Sequence, residues 1–570
     1  MPLLSNLALA LGLIVNPWLL ARNLCRNADT VLTLAIAGVC LVSTGVAAPV
    51  LLHLVHIPIS AGPLTVFHVV VFTIVLILSL LRDIRLRPTT ENGSISSAFS
   101  PMGFMAAGFA LLVIPFTPIA GIDTYKWQDL AGAVKVERSV PWLIHPVSLL
   151  GFTPRSYPSA QPLLLASISI LSGASVDWSS YLLSLVSGAI GLTSATALAR
   201  HVFTKPSTSL WMAFLYVFSP VFLRYNFWAT GRGLFMALLP LFALGLLHKM
   251  RGKTLLAAAW CAILLCLSHK AGMVAVAAIP IAFLAGVLFF PPAPSATHPP
   301  KGLALIWRMG LPCLFALASL GAGFMLAQYS PLNMAVRLAT RLAFLFPFSL
   351  IGLPFVFLPV HGTPAGRAMT MMALFALPAV CTDFMYGSLI AVLFVAYPAA
   401  IGLDELITRI PPHSHRCAYA AIVAAVMIPA VTIIVHQSAD SPSRDVVRAA
   451  RFLNQLDPLG PYRIEAPGRT RTRMQAYLDG CPRFNVFQSR QPALKPMPFP
   501  LLTGPVHKDV RDITNYLRQW IVLPDTSTDW YGSNPKVYFI TVAGEGKVPP
   551  GARLLFTSGN VSVYDGPSEP

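Results

Sequence analysis

Charge is what this chain has least of. Of its 570 residues, only 11% are Asp, Glu, Lys or Arg, against roughly 25% in average soluble chains. Acids are the scarcer sign: 22 Asp and Glu face 40 Lys and Arg, for a net charge of +18. That poverty excludes a soluble globular protein. Cysteine is also sparse, with eight in the whole chain. Cys40, Cys261, Cys266 and Cys313 sit in apolar runs, and Cys481 lies in the polar tail. A disulfide framework and a cysteine-ligated metal are both disfavoured by that placement. The first apolar run has neither a basic flank before it nor a clear small-residue cleavage site, so no cleavable signal peptide is read there.

What the chain has in abundance is apolar sequence. It is 55% hydrophobic, with a mean hydropathy of +0.67. Its 50 prolines and 38 glycines suit broken helices and short connectors better than a coiled coil. A bilayer crossing needs about 20 apolar residues. By that measure the sequence reads as a polytopic α-helical membrane protein with about 14 spans. They fall near 4–21, 30–54, 63–81, 102–120, 179–198, 210–223, 234–247, 255–268, 273–290, 303–327, 342–358, 368–381, 388–402 and 418–435. Segment 161–173 is apolar but short, with Pro162 at its start. It reads as a helix at the membrane interface, not as a crossing.

The residues from 437 onward are a different material. They hold 16 basic and 12 acidic residues, leaving 24 basic and only 10 acidic for the membrane part. Nucleic acid is a poor partner for basic residues scattered between spans; orientation and anionic membrane lipids explain them better. Alternate connections carry Arg22 and Arg26, Arg82 with Arg85 and Arg87, Arg200 and Lys205, Lys249 with Arg251 and Lys253, Lys301, Arg367, and Arg409 with Arg416. All are short and basic, which assigns them to the cytoplasmic side. The connection 121–162 and the tail then face outward. The tail reads as a small α/β domain, with a helix at 443–456 and strands at 462–464, 537–542, 553–557 and 561–564. Three units follow: an N-terminal three-span extension 1–100, a transmembrane core 101–436, and the extracytoplasmic domain 437–570.

That sidedness narrows the chemistry. Only Asp123, Asp129, Glu137, Asp177 and Asp383 are outward acids of the membrane part. The outward bases include Lys126, Arg155, Arg224, Arg232 and Lys270. They run against the orientation rule, and an anionic ligand such as a lipid phosphate accounts for them. Asp123 stands in Gly121-Ile-Asp-Thr-Tyr-Lys-Trp127, directly after the fourth span. It suits a base that deprotonates an acceptor hydroxyl while a cation neutralises the departing phosphate. A solvent-facing helix-end Asp beside an aromatic belt is the competing reading. Arg155 and Tyr157 lead into the short apolar helix, where an interface anchor is the plainer explanation. Arg224 and Arg232 flank one connection, and snorkelling at helix ends also explains them. His269-Lys270 forms a tight turn from which the Lys can reach a phosphate. Asp383 stands as a second carboxylate or an Arg partner. His145 and His436 read as isolated and structural, and nothing has metal-ligand spacing.

These features resemble the GT-C superfamily of integral-membrane glycosyltransferases. The matching segments are Gly121-Ile-Asp123 after a span, Tyr157-Pro158 before the short helix, Leu198-Ala-Arg-His-Val-Phe203, Phe218-Ser-Pro220, Gly231-Arg232, Leu267-Ser-His-Lys-Ala-Gly272 and the tail ending Gly559-Asn-Val-Ser-Val-Tyr564. The resemblance covers most of the chain from Met102 on. It implies an inverting transfer of a sugar from a polyprenyl phosphate or diphosphate to a lipid or polysaccharide acceptor at the cell membrane. Asp123 would be the base, and Lys126, Arg155, Tyr157, Arg224, Arg232, His269, Lys270 and Asp383 would bind substrate. The chain departs from the family in its three leading spans and in lacking an Asp-x-Asp or Glu-x-Asp pair after the first core span. No cofactor is certain, and a divalent cation stays open. A flippase of lipid-linked sugars, or a non-catalytic scaffold of an envelope-assembly complex, are the rival readings.

Overall fold

Helix α3 (Thr30–Leu54) shows how the local rules act. Asp29 caps it, its carboxylate accepting the Leu32 N–H at 2.8 Å. The helix then runs 25 residues, about 37 Å at 1.5 Å per residue, which exceeds the bilayer core. The computed structural model describes residues 2–24, 29–85, 105, 108, 122–141, 144–146, 157–248, 252–289, 363–382, 384–438, 443–457, 462–467, 470–475, 477–478 and 536–566.

Within these residues the helices follow in order. They are α1 (Pro2–Ala10) and α2 (Asn16–Leu24), joined by a π-helical turn, then α3, α4 (Ala61–Arg85), α5 (Ile122–Glu137), α6 (Ala160–Ser172) and α7 (Val176–Val202). Next come α8 (Pro206–Val217), α9 (Pro220–Phe227), α10 (Gly231–Leu247), α11 (Gly252–Ser268) and α12 (Ala271–Phe289). The bundle continues with α13 (Pro364–Thr382), α14 (Phe384–Arg409) and α15 (His415–Ser438). Among the described residues, seven helices are long and apolar enough to cross a membrane, or up to eight with α8 and α9 counted as one bent span. The expected spans 303–327 and 342–358, and all but Met105 and Gly108 of 102–120, lie outside the described residues.

Two sequence expectations need correction. The run 210–223 is not one straight span: it breaks into α8 and α9, bent by 49°. Pro220 cannot donate a backbone hydrogen bond, and Ser219 restarts the helix by accepting the Phe222 N–H at 3.1 Å. The segment 161–173 forms a short helix, α6, but it is buried by protein and not laid on a lipid surface. Gly45 of α3 lets it approach: a Cβ there would strike the Leu164 side chain. Thirteen residues rise about 20 Å, too little for a crossing. The connection 121–162 contains a whole helix, α5.

Packing sorts the helix ends into two sets. Arg200, near the end of α7, pairs with Asp29 at the start of α3 at 3.1 Å. Lys205, before α8, lies 3.4 Å from Asp404 near the end of α14. The rings of His201 and His248 stack at 5.3 Å. The opposite ends of α3, α7 and α10 therefore meet elsewhere, together with α5. Helix α14 is the most enclosed span, while α4 and α15 keep most of their surface outside. Such lopsided burial suits helices that face lipid on one flank.

The tail helix α16 (Arg444–Leu456) is capped by Ser443 and lays Val446, Ala449, Ala450 and Leu453 on a four-stranded sheet. The strands are β1 (Tyr462–Glu465), β2 (Lys536–Val542), β3 (Arg553–Ser558) and β4 (Val561–Asp565). Their order is β1-β2-β4-β3, with β1 parallel to β2 and the other pairs antiparallel. Gly559 turns the β3–β4 hairpin at φ 53°, where a side chain would run into the Asp445 carboxylate. A short helix, α17 (Thr470–Gln475), packs against α5. The tail thus touches the same end of the bundle that carries α5.

Candidate functional site

The site is built where α5 meets the connection between α9 and α10. Thr124 donates from Oγ1 to the carbonyl of Trp228 at 2.8 Å, buried from solvent. One turn on, the Trp127 ring packs edge-to-face on Tyr157 at 5.0 Å. The next residue, Gln128, donates to Ser180 of α7 at 3.1 Å. Three tethers therefore fix the first half of α5 against Trp228, the Tyr157 entry to α6, and α7. Asp123 and Lys126 occupy the opening turns of α5, and their side chains lie outside the described residues. Arg155 and Asp383 lie outside them entirely.

The 224–232 connection is itself held rigid. Asn226 donates to the Ser184 carbonyl at 2.9 Å, Ser184 donates to the Asn226 carbonyl at 2.8 Å, and Ser187 donates to the Asn226 amide oxygen. Gln161 of α6 donates to the Ala229 carbonyl. Aromatic rings and guanidinium groups interleave along it. The Arg224 guanidinium lies 4.6 Å from the Trp228 ring centre, and that of Arg232 lies 5.1 Å from Tyr225. Such stacking spreads charge over aromatic faces and lowers the cost of keeping it partly buried.

Arg232 opens α10, beside Gly231. A Cβ at Gly231 would collide with the Ser268 carbonyl and the Trp127 ring. This close approach brings the end of α11, and the His269-Lys270 turn after it, up to Arg232. Arg232 and Lys270 both repel charge on the buried His269 ring. Burial first, then Arg232 and Lys270, hold that imidazole well below the usual His range. Its Nδ1 accepts the Ala271 N–H at 3.1 Å, so the single proton sits on Nε2. Burial pushes the Lys270 ammonium down to about 8. The result is a half-buried cationic corner of one guanidinium, one ammonium and one neutral imidazole that donates from Nε2.

Of the residues that the sequence reading proposed for substrate, Arg232, His269 and Lys270 come together at this corner; Arg224 lies over Trp228 and shares the Tyr225 ring with Arg232, and Tyr157 packs on Trp127. The sequence reading missed Thr124, Trp127, Gln161, Asn226 and Trp228. Asn226 was the available signal, a lone amide among four aromatic or cationic neighbours in Arg224-Tyr-Asn-Phe-Trp228. His145 is not isolated as expected: its ring lies 5.5 Å from His53, whose Nδ1 accepts the Val140 N–H at 3.2 Å. His436 has its side chain outside the described residues. Near them, at the far end of α5, burial raises the Glu137 carboxyl to about 7 against a weak bond from Ser139. Among the described residues no group of three His, Cys, Asp or Glu side chains could hold a metal ion.

No family model matches the chain, and no curated protein does. Among solved structures, it is similar to arabinofuranosyltransferase AftD from mycobacteria, at 13% identity and a TM-score of 0.42. The likeness covers 84% of this chain and 42% of that one, so the chain spans about two fifths of its neighbour's length. A likeness of that strength assigns neither substrate nor chemistry. Those rest on the residues.

Proposed function

We propose that the chain is a membrane glycosyltransferase that takes a sugar from a polyprenyl phosphate or diphosphate and passes it to a hydroxyl of a lipid or glycan acceptor. The observation that carries this reading is the docking of α5 by Thr124 onto Trp228, which sets the Asp123 backbone beside the connection that leads to Arg232, Lys270 and His269. An acid next to clustered cations at one end of an apolar bundle is what this transfer needs. The acceptor hydroxyl gives its proton to Asp123 as its oxygen bonds the sugar carbon. The bond from that carbon to the phosphate oxygen breaks, and Arg232 and Lys270 take up the charge left on phosphate. His269 donates from Nε2 without adding charge. Lys126, Arg155, Arg224 and Asp383 complete the substrate-binding set, and the tail domain reaches the acceptor through α17, which packs on α5.

The basic ends at Arg200 and Lys205 lie opposite the site, which supports an extracytoplasmic position for it and for the tail by the positive-inside rule. The test uses full-length protein in nanodiscs with farnesyl-phosphoryl glucose, mannose and arabinofuranose as donors. Release of farnesyl phosphate and glycosylation of acceptor lipid are measured. Asp123→Asn is expected to lower transfer by about 10²- to 10⁴-fold without changing the melting temperature. Transfer at the wild-type rate by that variant would remove Asp123 as the base. Absence of release from every donor by wild type would overturn the enzyme reading.

A further inference from the structure

The end of α3 meets the end of α5 through a histidine. The Val140 N–H donates to Nδ1 of His53 at 3.2 Å, across 87 residues of sequence. An imidazole accepts at Nδ1 only while that nitrogen carries no proton, so the bond exists only with neutral His53. The His145 ring lies 5.5 Å from the His53 ring. A second bond closes the same junction: the Ile59 N–H, between α3 and α4, donates to the Arg138 carbonyl at 2.7 Å. Both turns are strained, with His56 at φ 58° and Arg138 at φ 53°. Such backbone is retained where surrounding contacts over-determine it, and these two bonds are such contacts.

Both histidines are half-buried, within reach of protons from solvent. The other titratable or charged residues near the junction are His56 on the α3–α4 connection and Lys135, Glu137 and Arg138 at the end of α5. Asp177 opens α7, and α17, packed on α5, carries Arg471 and Arg473. Helix α6 brings no titratable side chain, and α4 brings none before His68. Burial, then the adjacent His53, hold His145 below the usual His range. Burial raises the Glu137 carboxyl to about 7, and its Oε1 has no hydrogen-bond partner.

We propose that His53 and His145 form an acid-sensitive latch, which holds the end of α5 to the α3–α4 connection and releases it on protonation. A proton on His53 removes the acceptor of the Val140 N–H and sets a cation beside His145. Protons on both rings set two cations against each other. The latch lies at the end of the bundle opposite Arg200 and Lys205, so under the outward placement external pH sets its state. Closed, the two rings stay neutral; open, each takes a proton below the ordinary value of 6.5. Closure is therefore at full strength above 6.5 and weakens as pH falls through it. Glu137 acts in the opposite sense. Closed, it keeps its proton up to about 7; open, it loses it above 4.5, so acid favours closure through this group. One proton's worth of acid sensitivity is left, up to about tenfold in closure per pH unit.

The experiment follows hydrogen exchange of the Val140 amide, corrected for its intrinsic rate, in full-length protein in nanodiscs between about pH 8 and 5. Wild-type protection is expected to be level above about 7 and to fall about tenfold per unit below about 6. His53→Asn places an amide oxygen where Nδ1 stood, an acceptor that does not titrate. Its protection should change by less than about threefold over the same range. His145→Phe keeps a ring against His53 and should flatten the profile likewise, which decides the matter if His53→Asn does not fold. Glu137→Gln removes the opposing proton and should steepen the fall toward about 100-fold per unit. Wild-type protection that stays level down to pH 5, or that falls equally in both histidine variants, overturns the latch. Transfer by wild type should also fall reversibly with acid, and fall less in His53→Asn. Only this last measurement rests on the transferase reading; exchange that behaves as expected in a protein without transfer supports the latch and removes that reading.

Discussion

The Thr124 hydroxyl bonds the Trp228 carbonyl at 2.8 Å across 104 residues of sequence. This contact joins the helix that bears Asp123 to the connection that leads to Arg232. Neither partner is charged, and neither is legible as functional from its own surroundings.

Thr124→Val keeps the shape of the side chain and deletes its donor. The Trp228 carbonyl is then left buried without it, at a cost of about 1–3 kcal/mol. Thermal unfolding in nanodiscs should show the loss. Transfer should fall further than stability alone explains, since a displacement of about 1 Å in a reacting group can cost 10²-fold. A variant that unfolds earlier yet transfers at the full rate below its melting temperature would show that α5 docking does not set the reaction geometry.

Gly231→Ala tests the close approach of α10 to α11. The new methyl meets the Ser268 carbonyl and the Trp127 ring, one of which must move. Overpacking of this kind costs about 1–3 kcal/mol. Trp127 is the softer neighbour, so its contact with Tyr157 should loosen. Hydrogen exchange is expected to rise in 122–137 ahead of 252–268. Faster exchange in 252–268 alone would place the strain in the wrong helix.

Lys270 carries a pH dependence. Its folded value, about 8, lies below the ordinary 10.5 because burial disfavours the ammonium. The folded protein therefore releases this proton more readily than the unfolded chain does. The destabilisation from charging it is absent above 10.5 and fully present below about 8. Anion binding has the opposite preference, because it needs the charged form. Affinity for farnesyl phosphate should rise as the phosphate monoester loses its second proton at about pH 6, level off at about 7, and fall by up to about tenfold per unit above 8. Lys270→Arg keeps its charge throughout and should flatten that profile above 8. A wild-type profile without a break near 8 would separate Lys270 from the anion.

Much of the fold could be read from residue order. The tail strands at 462–464, 537–542, 553–557 and 561–564 each appear within a residue or two of those bounds, because alternation and turn residues act locally. The Ser443 cap appears for the same reason. The bend at Ser219-Pro220 was legible in principle, since proline and a capping serine are local signals, but apolarity across 210–223 masked it. The burial of α6 was not legible. An apolar 13-residue segment looks alike at a lipid surface and inside a bundle, and only Gly45 beneath Leu164 distinguishes them. For the site, charge out of place under the orientation rule pointed to Arg224, Arg232 and Lys270. Thr124, Gln161 and Trp228 gave no such signal.

Composition was enough to mark an apolar, helical chain with several segments long enough to cross a membrane. That much follows from solvent preference, which each residue carries with it along the chain. Which residues meet could be decided only in three dimensions. The Thr124–Trp228 bond, the Gln161–Ala229 bond and the approach of Arg232 to the neutral His269 all join segments distant in sequence. Hydrogen bonding and desolvation depend on distance in space, and close packing of α5, α6, α10 and α11 sets those distances.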